Sequence, residues 1–356
     1  MPNLSAIDLF CGIGGLSYGL REEGIDILAG IDIDKDCEYA FEKNVGADFL
    51  KRSVTGVQGS ELSALYPDGA IKVLVGCAPC QPFSQYTNYG KKNRRKTTPK
   101  SKQWVLLREF KRLILELKPE IVSMENVPQL EHYKVYDDFK ATLEDNGYHV
   151  SVKKVFCPEY GIPQTRTRLV MLASKLGPID LIAPTHEQDA YITVKDAIGE
   201  LPRVEAGQAS STDTFHRARK LDAMNMDRIR HSKPGGTWND WPEGLRLDCH
   251  KKESGASYQS VYGRMKWDEP GPTMTTHCCG LGNGRFGHPE QDRAITLREA
   301  ALLQTFPQTY VFEPEGKPLT QKVLCKQIGN AVPVKLGAVI GRSIKEHVKK
   351  QTIPKE

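Results

Sequence analysis

Two cysteines, one glutamate and two arginines stand where this chain could do chemistry. Cys77 and Cys80 lie in Gly76-Cys77-Ala78-Pro79-Cys80-Gln81-Pro82-Phe83-Ser84, after the apolar run Ile71-Lys72-Val73-Leu74-Val75. A short β-branched run closed by Gly reads as a buried strand. Pro79 and Pro82 bracket Cys80, fix φ on both sides and withhold two backbone donors. A thiol held stiffly at the end of a buried strand can serve as a nucleophile, because loops on a rigid sheet carry chemistry. Plainer readings stand beside this one. Buried cysteines often act as small apolar packing units. The C-x-x-C spacing also suits a redox pair or half of a zinc site. The adjacent Cys278-Cys279 do not supply a second C-x-x-C, and the prolines favour an extended loop over the helix start of a redox motif.

Glu125 follows a second apolar run, Glu120 to Met124, and opens Glu125-Asn126-Val127-Pro128. An acid at the C-terminal edge of a strand sits where α/β folds place ligands; a surface turn or helix cap is the alternative. Arg166 and Arg168 precede the strand candidate Leu169 to Ala173 and share a parity, so in an extended segment both face one side. Two guanidinium groups facing a cleft suit phosphate or carbonyl oxygens, and otherwise an edge-strand ion pair.

The elements that must position these groups alternate. Ser5 to Phe10 reads as a strand running into Cys11-Gly12-Ile13-Gly14-Gly15, and Leu16 to Glu23 reads as a helix stopped by Gly24. Strand, glycine turn and helix form the first unit of a nucleotide-type α/β fold, although Ser17 replaces the third glycine of G-x-G-x-x-G. A second strand, Ile25 to Ile31, ends at Asp32, where an acid can meet ribose hydroxyls; Asp34 reads as a cap for the next helix. Trp104 to Leu117 is an amphipathic helix, Tyr136 to Asn146 another, and Tyr148 to Phe156 a strand. From about Gly177 the βα rhythm gives way to Pro, Gly, His and Trp in short segments, which places a domain boundary near Thr185. Ala294 to Phe306 reads as a helix with Thr296 and Glu299 as a capping box. Gln327 to Pro333 is expected to open the last helix, Val334 to about Lys349.

The chain of 356 residues carries a net charge of +5. Its length suits one or two domains. No run of about 18 apolar residues is present, so a membrane span is not expected, nor is a signal peptide at Met1 to Ser5. Nine cysteines without framework spacing fit a reducing cytosol. The mild overall charge conceals a basic stretch, Thr87 to Lys102, holding Lys91, Lys92, Arg94 and Arg95 and no acid. It is either a solvated charge run or a lid that grips phosphates next to Cys80.

Over nearly its whole length the chain resembles the cytosine-5 DNA methyltransferases of the bacterial modification-methylase type. The resemblance rests on Asp8-Leu9-Phe10-x-Gly12-x-Gly14-Gly15, Pro79-Cys80-Gln81, Glu125-Asn126-Val127, Gln164-x-Arg166-x-Arg168, Arg298-Glu299-Ala300 with Gln304-x-Phe306-Pro307, and Gln327-x-Gly329-Asn330-x-Val332-Pro333. Each motif is short; their common order makes the signal specific. The resemblance implies an α/β fold: a Rossmann-like S-adenosylmethionine-dependent methyltransferase domain with a mixed sheet, residues 1–184 and 320–356, plus a smaller, irregular target-recognition domain, 185–319. It implies transfer of a methyl group from S-adenosylmethionine to C5 of a flipped cytosine in duplex DNA.

The resemblance assigns roles residue by residue. Cys80 attacks ring atom C6. Glu125, protonated with the help of burial, contacts N3 and the exocyclic amine. Arg168 holds the base near O2, and Arg166 braces the cysteine loop or a phosphate. Phe10, Gly12 and Gly14 line the methionine end of the cofactor, Asp32 accepts from the ribose, Ile33 covers the adenine, and Val54, Pro79, Asn330 and Val332 complete the pocket. Ser84, Lys91, Lys92, Arg94, Arg95, Gln259 and Thr273 are the expected DNA contacts. No metal is expected. Two positions depart from the family pattern: Ser53-Val54 replaces an acid-apolar pair, and Thr273-Met274 is the nearest match to the Thr-Leu/Ile/Val pair of recognition domains. Further expectations are a monomer in the cytoplasm, associated with the nucleoid, and a cognate restriction endonuclease encoded elsewhere. The rival readings are methylation of tRNA, a non-catalytic DNA-binding regulator on the same fold, and a redox protein using Cys77 and Cys80.

Overall fold

A computed structural model describes residues 3–79, 102–252 and 259–352. Cys80, Ser84, Lys91, Lys92, Arg94 and Arg95 lie outside the described residues. Seven strands form one sheet: β1 (Leu4–Leu9), β2 (Asp26–Asp32), β3 (Asp48–Lys51), β4 (Ile71–Gly76), β5 (Ile121–Asn126), β6 (His149–Phe156) and β7 (Thr167–Ser174). Their order is β3-β2-β1-β4-β5-β7-β6. The first five pair in parallel, and β7 runs antiparallel to both β5 and β6. From β1 the chain builds outward through β2 and β3, then returns to β4 and builds the other way. The switch between β1 and β4 opens a crevice at their C-terminal ends, where open α/β sheets bind ligands.

The pleat divides the core in two. On one face lie Ile7, Leu9, Leu74, Val122, Met124, Leu169 and Met171. They pack against Trp104, Leu107, Phe110, Leu113, Ile114 and Leu117 of α4 (Lys102–Leu117) and Phe139 and Leu143 of α5 (Lys134–Asp145). The apolar stripe read from the sequence is therefore the buried side of α4. On the other face, Ala6, Val73, Val75, Val170 and Leu172 meet α1 (Gly15–Glu22) and the C-terminal helix. This second face also receives Ile295, Leu297, Ala300, Ala301, Leu303, Phe306, Tyr310 and Phe312.

The last two helices differ from expectation. Gln327 does not open the final helix; it lies in a separate one, α9 (Gln321–Asn330), capped by the Thr320 side chain on the Val323 amide. Pro333 excludes the α conformation at Val332, so the chain breaks at Ala331–Pro333 before α10 (Val334–Thr352). Between them, 321–352 contains an 18-residue window of mean hydropathy 1.2, but 67% of that window is buried inside the protein.

Helix α10 closes directly on α1. A Cβ on Gly19 would stand 2.2 Å from the Val334 carbonyl oxygen, and one on Gly15 2.2 Å from that of Val332. Backbone meets backbone there, and the approach brings the Val332 segment beside the β1 glycine turn.

Regular structure is sparse across 185–293. The described α-helices there are α6 (Val194–Ile198) and α7 (Ala223–His231), followed by α8 (Leu297–Leu303). Thr296 and Glu299 form the anticipated capping box. Buried arginines replace strand ladders as the organising hydrogen-bond donors. Arg264 donates to the carbonyls of Ile229, Ser232, His288 and Gln291 and pairs with Asp292. Arg293 grips Glu299 through two 2.7 Å contacts, with both side chains excluded from solvent. Other arginines of this region are likewise structural: Arg217 pairs with Glu313, and Arg228 binds the Leu245 carbonyl.

Two outcomes are expected. Gly19→Ala forces a Cβ onto backbone atoms that cannot rotate away, so the urea midpoint should fall by an amount equivalent to about 3 kcal/mol; an unchanged midpoint would show that the helix pair can part at no cost. Asp8, buried on β1, has its carboxyl pKa pushed up to about 7 by burial, with nearby Asp32 adding to the rise and the Ser17 hydroxyl, 2.6 Å away, opposing it. The folded state therefore holds a proton that the unfolded chain has released. Stability should fall as pH rises from about 4 to 7, with a slope of at most about 1.4 kcal/mol per pH unit. Melting curves of Asp8→Asn should lack this component.

Candidate active site

Three strand ends converge on Glu125. In the parallel β4–β5 pair, Gly76 aligns with Met124, so Cys77 stands beside Glu125. In the antiparallel β5–β7 pair, Glu125 faces Val170, so Arg168 is its diagonal neighbour on the same face. The Cys77 thiol donates to Glu125 Oε2 at 2.7 Å, and Arg168 Nε lies 2.9 Å from Oε1. The Glu125 side chain is 1% exposed and that of Arg168 14%, so the arginine forms the outer wall of the pair. Neighbouring Asn126 turns to the loop, donating from Nδ2 to the Ala78 carbonyl at 3.0 Å and accepting from the Val127 amide. It thereby fixes the chain two residues before Cys80. Pro79 is exposed. Sequence reasoning missed both Cys77 as a partner of Glu125 and Asn126 as an anchor; the one available signal for Asn126 was its place in Glu125-Asn126-Val127.

Arg166 is buried behind Arg168. Burial first, and the adjacent Arg168 second, lower its guanidinium pKa to about 10, while Glu125 opposes the fall. Its Nη1 donates to the Met274 carbonyl at 3.2 Å. The neighbouring Thr165 amide donates to Gly271, and the Thr273 hydroxyl donates to the Thr165 carbonyl. The Thr273-Met274 segment is thus clasped by residues 164–166, which lead directly into β7 and Arg168. Gln164 completes the clasp: its Oε1 accepts from the Met274 amide, and its Nε2 donates to Gln304 Oε1 at 2.6 Å and to Leu303 O at 2.9 Å. Gln304 Nε2 in turn donates to Ile328 O and Ala331 O at the end of α9. Two buried amides therefore tie together 164–168, 271–274, α8 and 328–334.

The second group of predicted residues gathers at the β1–β2 crevice. Phe10, Gly12 and Gly14 have φ of 62°, 51° and 85°, which curls the turn tightly. Asp32 accepts from the Gly12 amide at 2.9 Å and the Asp34 amide at 2.9 Å. It therefore shapes the glycine turn as well as facing the crevice. Ser17, where a third glycine was absent, donates to Asp8 and is buried, so this position serves packing. Ile33 is 72% exposed, an apolar surface left open beside Asp32. Ser53 caps the 3-10 turn Val54–Gly56 through the Thr55 amide, and Val54 is buried beneath it. Val332 is buried against the turn at Gly15, while Asn330 is exposed at the end of α9. A curled glycine turn, an acid at the end of β2 and an open aliphatic face fit an adenosyl compound. Gln259 is exposed and lies in a turn at 259–262.

The C-5 cytosine-specific DNA methylase profile matches residues 4–346. The chain is 57% identical over 344 residues to the Type II methylase M.HgiDII of Herpetosiphon aurantiacus, covering 96% of this chain and 95% of that one. It is 31% identical to the Type II methyltransferase M1.HphI of Haemophilus parahaemolyticus, over 96% and 87% of the two chains. Among solved structures, a prophage-encoded DNA modification methyltransferase from E. coli superposes with a TM-score of 0.74 at 20% identity, covering 98% and 100%. The S. pombe Dnmt2 methyltransferase has a TM-score of 0.59 at 19% identity, covering 97% and 99%; at that identity the likeness speaks for the fold alone. The chain belongs to the C-5 cytosine-specific DNA methylase family.

Proposed function

We propose that this DNA cytosine-5 methyltransferase acts through a covalent adduct between Cys80 and a cytosine turned out of duplex DNA. The observation that carries the proposal is the buried Glu125, placed by three strand ends beside the loop that Asn126 anchors. A cytosine inside the helix cannot be reached from its faces, so the base must leave the stack. Cys80, as thiolate, adds to C6 and pushes electron density toward C5. A free thiol has a pKa of about 8.5, so the site must favour the thiolate or take up its proton. Glu125 meets the pyrimidine edge, donating to N3 and accepting from the exocyclic amine. Arg168, the outer partner of the pair, holds O2. Loss of the C5 proton and departure of the Cys80 sulfur restore the ring.

S-adenosylmethionine supplies the electrophilic methyl group. Phe10, Gly12 and Gly14 would hold its methionine end, Asp32 its ribose and Ile33 its adenine, with Val54, Pro79, Asn330 and Val332 around them. Target reading falls to the irregular 185–319 region. Thr273 is its inner contact, bonded to the Thr165 carbonyl, with neighbouring Met274 held by Gln164 and Arg166. Ser84, Lys91, Lys92, Arg94 and Arg95 supply phosphate contacts, and Gln259 reaches toward the gap left by the displaced base. The names of the Type II relatives favour a modification role beside a cognate endonuclease. In this reading the enzyme works as a monomer in the cytoplasm, on nucleoid DNA.

Cys80→Ser should reduce methyl transfer from labelled S-adenosylmethionine to duplex DNA by about 1,000-fold or more, and abolish covalent capture by a duplex containing 5-fluorocytosine; wild-type turnover in that variant would remove Cys80 from the mechanism. Glu125→Gln keeps the volume but substitutes an amide. It should lower kcat about 100-fold with S-adenosylmethionine affinity unchanged. Equal labelling of tRNA and duplex DNA by the wild-type enzyme would contradict the DNA assignment.

A further inference from the structure

Three thiols that the active site does not use converge elsewhere in the core. Cys278 and Cys279 follow the Thr273-Met274 segment, and Cys325 lies on α9. All three Sγ atoms lie within 4.8 Å of one another, and those of Cys278 and Cys279 are 3.9 Å apart. Their exposures are 0%, 0% and 6%. The main chain brings them together. Gly329, one turn beyond Cys325 on α9, sits so close to the incoming segment that a Cβ there would stand 2.0 Å from the Thr275 carbonyl oxygen.

Thiols gain little from one another, because S–H is a weak donor and sulfur a weak acceptor. Three sulfurs around one ion are another matter. With metal–sulfur bonds of about 2.3 Å, they stand about 4 Å apart. The Cys278–Cys279 spacing already matches, and the third sulfur needs only a small contraction. Thiolates select soft ions, Zn2+ and Cu+ among them. No fourth His, Cys or carboxylate joins the group among the described residues. The set therefore suits three-coordination, or a water as fourth ligand. Arg219 lies within electrostatic range of Cys325 and offsets the negative charge that three thiolates leave on the ion. C-x-x-C logic could not find this site, since two ligands are adjacent and the third is 46 residues further on.

We propose that Cys278, Cys279 and Cys325 bind one thiophilic d10 ion, Zn2+ or Cu+, which pins the 273–279 segment to α9. Binding exchanges three S–H protons for three metal–sulfur bonds, without any redox change. The full-length protein, reduced and stripped of metal, is titrated with Zn2+ alone and, anaerobically, with Cu+ alone, each against a chromophoric chelator. One equivalent of at least one ion should bind, raise the melting temperature, and lose about tenfold or more in affinity in Cys325→Ser. Cys279→Ala should do the same and decides the matter if Cys325→Ser does not fold. Cys249→Ser, at an exposed cysteine outside the cluster, should bind as the wild type does. Failure to take up either ion stoichiometrically overturns the proposal. So does uptake unchanged in the folded variants, or a disulfide among the three thiols with no metal uptake after reduction.

Discussion

The structure depends on a carboxyl group that water cannot reach. Burying Glu125 without partners would cost several kcal/mol. Cys77 and Arg168 approach its two oxygens from adjacent strands on either side. Neither neighbour is close to Glu125 in the chain. β4 supplies one through parallel register, and β7 supplies the other only because it runs backwards between β5 and β6. An all-parallel sheet would place the start of β7 at the opposite edge. The reversed strand is thus the feature that puts an arginine beside the acid.

A second constraint joins this edge to the region that follows. Gln164 and Gln304 are fully buried, and each side-chain amide spends its donors on carbonyls or on the other amide. A buried polar network of this kind is costly when half satisfied and specifying when complete. Here it fixes the Met274 segment against Arg166 and the end of α9 against α8. Residues 164–166, which hold the 271–274 segment, run straight into Arg168 on β7, so the two sets of contacts lie within five consecutive residues.

Glycine plays a comparable role where α1 meets α10. The approach of the Val332 and Val334 carbonyls to Gly15 and Gly19 leaves no room for a side chain. The C-terminal segment consequently lies beside the turn that follows β1, and residues more than 300 positions apart face one crevice. The tyrosine hydroxyl of Tyr310 adds a bond to the Ile13 carbonyl from a third segment. The crevice is built by long-range packing around a locally determined turn.

What the amino-acid order determined by itself was local. Alternating apolar runs, glycine turns, the Trp104–Leu117 stripe and the Thr296–Glu299 capping box follow from periods of two and 3.6 and from short-range hydrogen bonds, so they can be read along the line. The ordered motifs carried the family as well. The tertiary structure alone decided what lies across the strands. It set Cys77 on Glu125, Asn126 on Ala78, Arg166 on Met274, Asp32 on the Gly12 amide, and three thiols in one cluster. It also placed Gln327 inside a separate helix that the sequence pattern did not announce, because α9 owes its position to packing against 275–279 and the end of α8 more than to its own periodicity. Register and burial are properties of pairs distant in sequence, and no local pattern encodes them.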